Sequence, residues 1–439
     1  MGFSCTAMIM AITMATWSAI AGASTPALPM PDGPYSVGVA KFELVDASRP
    51  LDVGDPASGP RRLPVIAWYP AEGPAVKTQD AAYLEGDVAT VTLPAIARNL
   101  GYALEDLKPL TVLRTYARPG ATPARHPGGF PVVIFSHGFF LYAEQDTALA
   151  LRLASHGYIV LSITHPGDAA DVRLEDGTLA ATKLASTGDD PGFAKAFDVL
   201  MKGKDLATCR EALAKYAKAF GATRMGRSFA QWRDDTLFVA RTIIDGSGPQ
   251  PLRDVLISAD PKRLAFAGMS FGGATAATSC RLVDACRAAV NLDGQNFDPG
   301  LFDQPVGRPL LLMLSDWTRH SLFKGQSRDE DFSPNDLAYE PWSKAGENRD
   351  VVRVRLKGAR HMGFTDMVAL LDGPKRDSRV GEINGDEALS AVGDMVLTFL
   401  DAYVRHDKPA SIDRAIARHP VLRRHVPKRV MGWSSKTSQ

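Results

Sequence analysis

Eight runs of apolar, β-forming residues mark the chain, each bounded by Gly, Pro or a charged residue. They are Val37–Val45, Leu63–Tyr69, Pro131–Phe135, Tyr158–Ile163, Arg263–Gly268, Ala288–Leu292, Pro309–Leu314 and Val351–Leu356. The middle runs, such as VVIF, YIVLSI and LAFAG, are continuously apolar rather than alternating. Strands buried on both faces read that way, so the pattern predicts a mostly parallel sheet covered by helices. Between the strands, Asp146–His156, Ser228–Ile244, Gly272–Leu282 and Glu387–Tyr403 carry apolar residues at three-to-four spacing and predict helices. Strand and helix alternate through the second half, which implies an α/β fold with right-handed crossovers.

Three segments break the alternation. Gly167–Arg227 separates the fourth strand from its helix and is far longer than an ordinary connection. Within it Leu206, Cys209, Leu213, Tyr216 and Phe220 keep a 3-4-3-4 spacing, which predicts one amphipathic helix. That insertion reads either as a lid over an apolar substrate or as a helix packed on the flank of the sheet. Ser321–Arg349 is charged and reads as a surface excursion, and Ala71–His126 reads as a block walling the pocket.

The first 31 residues carry no charged side chain, and Ala21-Gly22-Ala23 follows an apolar stretch with the small-x-small pattern of a cleavage site. Residues 1–23 are therefore read as a signal peptide cut after Ala23, and the chain as secreted or periplasmic. The expected division continues with an α/β domain over 35–405, its helical insertion at 167–227, and a basic C-terminal tail over 406–439. Across the 439 residues the formal net charge is +1, so no global field recruits nucleic acid or an anionic membrane. Beyond Cys5, the cysteines are Cys209, Cys280 and Cys286, with no metal-ligand spacing. In an exported protein Cys280 and Cys286, six apart, could form a disulfide; two buried thiols are the alternative.

The most specific motif is Gly268-Met269-Ser270-Phe271-Gly272, a G-x-S-x-G between a buried strand and a helix. That context presents the serine hydroxyl at the positive end of the following helix and marks Ser270 as a nucleophile. A hydroxyl needs a base to take its proton, and the base must follow in the order Ser, acid, His. Of nine histidines, His126, His137, His156 and His165 precede Ser270, while His406, His419 and His425 fall beyond the last expected helix. His361, just after the strand VVRVRL, is the candidate base, with His320 as fallback. Two acids compete to orient it: Asp293 ends AAVNLD and Asp316 ends LLLMLSD, each at the C-terminal end of a strand. The residues alone tip slightly towards Asp316. The oxyanion donors are expected to be the N–H groups of Phe271 and of Phe139 in the loop Ser136-His137-Gly138-Phe139-Phe140. His137 reads as a brace of that loop, not as a base.

These words together resemble the plasma and type II platelet-activating factor acetylhydrolases and their bacterial relatives. The resemblance rests on PVVIFSHGFF, LASHGYIV, WRDDTLFV, GMSFGGATAA, AVNLDG and KGARHMGF, between Gly129 and Asp366. It implies an α/β-hydrolase fold and a serine-dependent esterase. It also implies that the acid ends the strand right after the nucleophile helix. Asp293 lies 293 − 270 = 23 residues beyond Ser270, and the resemblance makes it the preferred acid, with Asp316 second. It maps the oxyanion donors onto Phe139 and Phe271 and the base onto His361.

The fold expected is thus α/β-hydrolase: a mostly parallel eight-stranded sheet, helices on both faces, and a helical insertion or cap after the fourth strand. The chemistry expected is hydrolysis of carboxylic esters through an acyl-enzyme, with no metal or organic cofactor required. The substrate expected is a short-acyl or phospholipid sn-2 ester, because Phe139, Phe140, Phe271 and Trp317 would crowd the site. A small-molecule or lipid ester is the partner, peripheral contact with a lipid surface is left open, and nucleic acid is not implied. The alternatives are a polyester or aryl esterase and a serine peptidase with the same triad.

Overall fold

The computed structural model describes residues 27–52, 54–74, 80–183, 191–316, 332–373, 376–405 and 412–434. The expected signal peptide, His320, His406 and Trp317 lie outside the described residues, as do residues 321–331. The rest of the segment from Ser321 to Arg349 is almost entirely buried from Phe332 to Trp342, which corrects its reading as a surface excursion.

The main sheet is built from β1 (Ser36–Asp52), β2 (Asp55–Ala71), β3 (Ala117–Pro119), β4 (Phe130–Ser136), β5 (Ile159–Ile163), β6 (Ala259–Met269), β7 (Cys286–Leu292), β8 (Leu310–Leu314), β9 (Val351–Leu356) and β10 (Leu422–Arg424). Their order across the sheet is β10-β9-β8-β7-β6-β4-β5-β2-β1-β3. The run from β9 to β5 is parallel throughout. β2 is antiparallel to both β1 and β5, and β10 is antiparallel to β9.

All eight expected strands are present, and the sheet has ten. The two additions are edge strands of three residues each, too short to carry a hydrophobic pattern. β10 also corrects the expected C-terminal tail. Among its described residues lie a helix (Ile412–Arg418), β10 itself, and a second helix (Lys428–Ser434). Val430 is fully buried, and the Trp433 ring meets that of Trp342 edge-on at 5.8 Å. Basic residues lie on the exposed side of these elements, which is why the segment reads as a tail.

Helices α1 (Leu93–Leu100), α2 (Thr147–Ser155), α3 (Pro191–Lys202), α4 (Leu206–Phe220), α5 (Arg224–Ile244), α6 (Phe271–Cys280) and α7 (Gly385–Leu400) surround the sheet. β6 shows how the core divides. Ala265, Ala267 and Met269 face the layer holding α2 and α7, while Leu264 and Phe266 face the layer of α5 and α6. Period-two alternation thus buries both faces of a strand whose sequence looks uniformly apolar.

Among its described residues the insertion contains two helices, α3 and α4, where one was expected. α4 starts at the N-cap Asp205, whose carboxylate accepts from Thr208 N, and α5 starts at Thr223, whose hydroxyl accepts from Gly226 N. The core helix therefore begins four residues before the expected Ser228. Cys280 and Cys286 are joined in a disulfide across the turn from α6 to β7, with Cα atoms 5.3 Å apart, and Cys209 is a free buried thiol.

Candidate active site

Parallel strands bring their C-terminal ends to one rim, and ligands of α/β sheets bind there. β4 ends at Ser136, β6 at Met269, β7 at Leu292 and β9 at Leu356, and the loops that follow carry the candidate residues.

Ser270 occupies a sharp turn between β6 and α6, with φ 55° and ψ −120°. A non-glycine residue there is strained, and the packing around it must hold it in place. The flanking glycines make that packing feasible. A Cβ on Gly268 would sit 2.3 Å from Gly272 C, and one on Gly272 would sit 2.1 Å from Ser136 O. The Ser270 amide donates to Leu292 O at 2.8 Å, tying the elbow to β7.

His361 opens a short 3-10 turn (His361–Phe364) after β9. Its Nε2 lies 2.8 Å from Ser270 Oγ and its Nδ1 lies 2.7 Å from Asp293 Oδ2. The other oxygen, Asp293 Oδ1, accepts from Ser315 N at 2.7 Å. Asp293 takes φ 56° at the end of β7, which turns its carboxylate towards the imidazole. Asn291 brackets this bend, accepting from Gly294 N at 2.6 Å and donating to Gly294 O at 2.8 Å. Asp316 goes elsewhere: its carboxylate accepts from Gly358 N at 2.8 Å. The residue-level preference for Asp316 is thus not what the geometry displays, and the second choice has a structural part in joining β8 to the loop after β9.

The loop after β4 completes the constellation. Gly272 N donates to His137 O and Phe140 N donates to Asp168 O, while the N–H groups of Phe139 and Phe271 meet no acceptor among the described residues. Phe271 opens α6, where a helix leaves its first N–H groups without internal partners.

His137 is fully buried, and burial pushes its imidazole down to about 3, so it is neutral. Its Nδ1 donates to Gly138 O at 2.7 Å and its Nε2 accepts from His165 N at 3.2 Å. This is the expected brace. Beneath it lies a network that sequence reading missed. Asp235 receives Arg61 at 2.6 Å, Arg49 at 2.8 Å and His165 Nδ1 at 2.8 Å, while His165 Nε2 meets Ser136 Oγ at 3.0 Å. Burial works against the Asp235 charge, but the Arg61 guanidinium and the His165 hydrogen bond hold its carboxyl well below the usual carboxylate range. Asp168, which fixes Phe140, takes Trp232 Nε1 at 3.0 Å and Arg224 at 2.8 Å. Part of the signal was visible in the string WRDD. Nothing along the chain links Trp232 to Asp168, 64 residues away.

A cavity of about 270 Å³ opens onto Ser270 and His361. Its apolar wall includes Phe139, Phe140, Phe271, Phe297, Met225 and Leu314, and Gln295, Ser333 and Asn335 add polar atoms. Phe271 meets Phe139 edge-on at 4.8 Å and Phe297 at 5.8 Å. Among the described residues, no group of three or more His, Cys, Asp or Glu is arranged to hold a metal ion. A serine and an imidazole in contact, the imidazole oriented by a carboxylate, with the N–H groups of Phe139 and Phe271 left without acceptors among the described residues, can carry out acyl transfer.

Known proteins resemble this chain in sequence and in fold. Residues 23–176 match the family model described as platelet-activating factor acetylhydrolase, isoform II, a span that holds the loop after β4 but ends before Ser270. A platelet-activating factor acetylhydrolase of Cavia porcellus is 22% identical over 87% of this chain and 79% of its own length. A probable 1-alkyl-2-acetylglycerophosphocholine esterase of Arthroderma benhamiae is 25% identical over 87% of this chain and 86% of its own. Among solved structures, a ferulic acid esterase of Streptomyces cinnamoneus superposes with a TM-score of 0.65 at 24% identity, covering 91% of this chain and 99% of that one. Fold, site geometry and these likenesses together mark the chain as an α/β-hydrolase-fold esterase similar to the platelet-activating factor acetylhydrolases of isoform II type.

Proposed function

We propose that the protein hydrolyses carboxylic esters through an acyl-enzyme, with Ser270 as nucleophile, His361 as general base and Asp293 as the acid that orients it. The observation that carries this reading is the unbroken pair of hydrogen bonds from Ser270 Oγ through His361 to Asp293. Ser270 attacks the ester carbonyl while His361 Nε2 takes the hydroxyl proton. The carbonyl oxygen becomes an oxyanion, held by the N–H groups of Phe139 and Phe271. His361 then gives its proton to the departing alcohol. A water molecule deprotonated by His361 attacks the acyl-enzyme, and its collapse releases the acid and restores Ser270.

The substrate proposed is a short-acyl ester, including the sn-2 ester of a platelet-activating-factor-like phospholipid. The modest apolar cavity and the names of the two curated relatives support it. Aryl esters are the second reading, favoured by the phenyl rings of Phe139, Phe271 and Phe297 in the pocket wall and by the solved neighbour's name. Export is proposed as well, supported by the uncharged N-terminal stretch and by the Cys280–Cys286 disulfide. Residues 167–227 are proposed to cap the pocket, since Met225 stands in its wall.

Replacing Ser270 by Ala tests the chemistry. kcat on p-nitrophenyl acetate should fall by about 10⁴-fold or more, and fluorophosphonate labelling of the chain should disappear. Retained turnover refutes the assignment. A series from acetate to palmitate tests the substrate class, and a maximum at palmitate counts against a short acyl group.

A further inference from the structure

Gln145 lies outside the pocket and is fully buried, yet its bonds join both halves of the catalytic rim. Its side-chain oxygen accepts from Gly138 N at 2.9 Å, one residue before Phe139. Its side-chain nitrogen donates to Asp146 Oδ2 at 2.6 Å, which fixes which end of the amide faces the loop. Its backbone carbonyl accepts from Asp366 N at 2.8 Å. Asp366 stands just beyond the turn that carries His361, and its carboxylate accepts from Thr147 N at 2.7 Å and Ala148 N at 3.1 Å at the start of α2.

We propose that Gln145 is a positioning residue that, with Asp366, sets the N–H of Phe139 in register with the imidazole of His361. The inference rests on the esterase reading above. Two loops more than 200 residues apart in sequence have to meet one reacting carbonyl, the first with an N–H donor and the second with a base. Gln145 holds the first through its side chain and the second through its main chain, and α2 gives both a common rigid base. A buried amide is suited to this because it offers an acceptor and a donor at fixed separation without a charge. A register error of about 1 Å at such a site costs roughly 100-fold in rate.

The test compares Gln145→Met, which keeps the volume and removes both side-chain bonds, with Gln145→Glu, which keeps an acceptor for Gly138 N. The readouts are kcat and KM on p-nitrophenyl acetate and the Kd of an alkyl trifluoromethyl ketone, whose adduct with Ser270 places an oxyanion against Phe139 and Phe271. In the Met variant kcat should fall about 10- to 100-fold with KM little changed. The ketone should weaken by the same factor, and the Glu variant should recover part of both losses. Should the Met variant not fold, Asp366→Ala, which removes the acceptor for Thr147 N and Ala148 N, is read in the same way. Wild-type kcat and ketone affinity in the folded variants overturn the proposal, as does a loss in KM alone. If wild-type protein takes no fluorophosphonate at Ser270, the esterase reading itself has failed; labelling with unaltered Gln145 variants means that only this inference has.

Discussion

Two aspartates lie at neighbouring strand ends, and only one reaches the imidazole. Asp293 gains its reach from a left-handed backbone at φ 56°. Asp316 stays with the backbone of the next loop, accepting from Gly358 N. Asp293→Asn should therefore lower kcat by about 10⁴-fold while the chain stays folded, because the imidazole loses both its tautomer control and its counter-charge. Asp316→Asn should leave kcat within a few-fold of wild type, and its effect should appear in thermal denaturation. The reverse result would make Asp316 the acid. The identity of the acid was not legible from residues, because both candidates share the type and the strand-end position. What separates them is a backbone torsion, and the family resemblance stood in for it. Ser270 and His361 were legible because their signals are local: glycines at an elbow, and a histidine just after a strand.

At the scale of elements, the start of α2 holds buried carboxylates. Burial pushes Asp146 up to about 7, and burial together with the nearby Asp146 raises Asp366 well above the carboxylate range. For Asp146 the sign is clear. The folded chain keeps a proton that the unfolded chain releases near 3.8. The associated stability is complete below that pH and is lost as pH climbs through about 7, in all on the order of 4 kcal/mol. Asp146→Asn stays neutral at every pH and can still accept from Gln145. Its melting temperature should exceed wild type at pH 8 and differ little at pH 4. An offset that does not change with pH would contradict this.

The disulfide between α6 and β7 closes a short loop, and in the chain-entropy picture it adds about 2 kcal/mol. The Cys280→Ser, Cys286→Ser double variant should melt at a lower temperature and keep its kcat, since neither sulfur lines the pocket. Helices α2, α4, α6 and α7 were legible from their spacing to within a few residues, α5 lacked its first turn, and α1 and α3 were not read at all. The first turn of α5 is Arg-Met-Gly-Arg, polar at one end, so the apolar pattern starts only at Ser228.

For the whole molecule, the sheet was readable except at its edges. Central strands are apolar on both faces and announce themselves, whereas β3 and β10 are held by pairing with longer neighbours and carry no pattern of their own. The C-terminal segment is the clearest case. His425 donates to Asp336 Oδ1 at 2.7 Å and accepts from Arg355 at 3.0 Å inside the protein. A chain ending at residue 405 should lose β10, expose Trp342 and take the His425 acceptor from Arg355, with a marked drop in melting temperature or soluble yield. A truncated chain as stable as the full one would restore the view of this segment as a tail.

The insertion holds on to the site through rings. Phe193 stacks on Phe220 and meets Tyr216 at a tilt, Phe197 lies over Phe297, and Phe220 meets Phe229, which meets Phe271. Tyr216 also donates to Phe297 O at 2.6 Å. The side chain next to the nucleophile is therefore one link of an aromatic relay that starts in α3 and runs on to Phe139. Exchanging the α3–α4 hairpin for one with smaller rings would reshape the chamber from behind while Ser270, Asp293 and His361 kept their places. Selectivity in this architecture can drift through the hairpin at little cost to turnover.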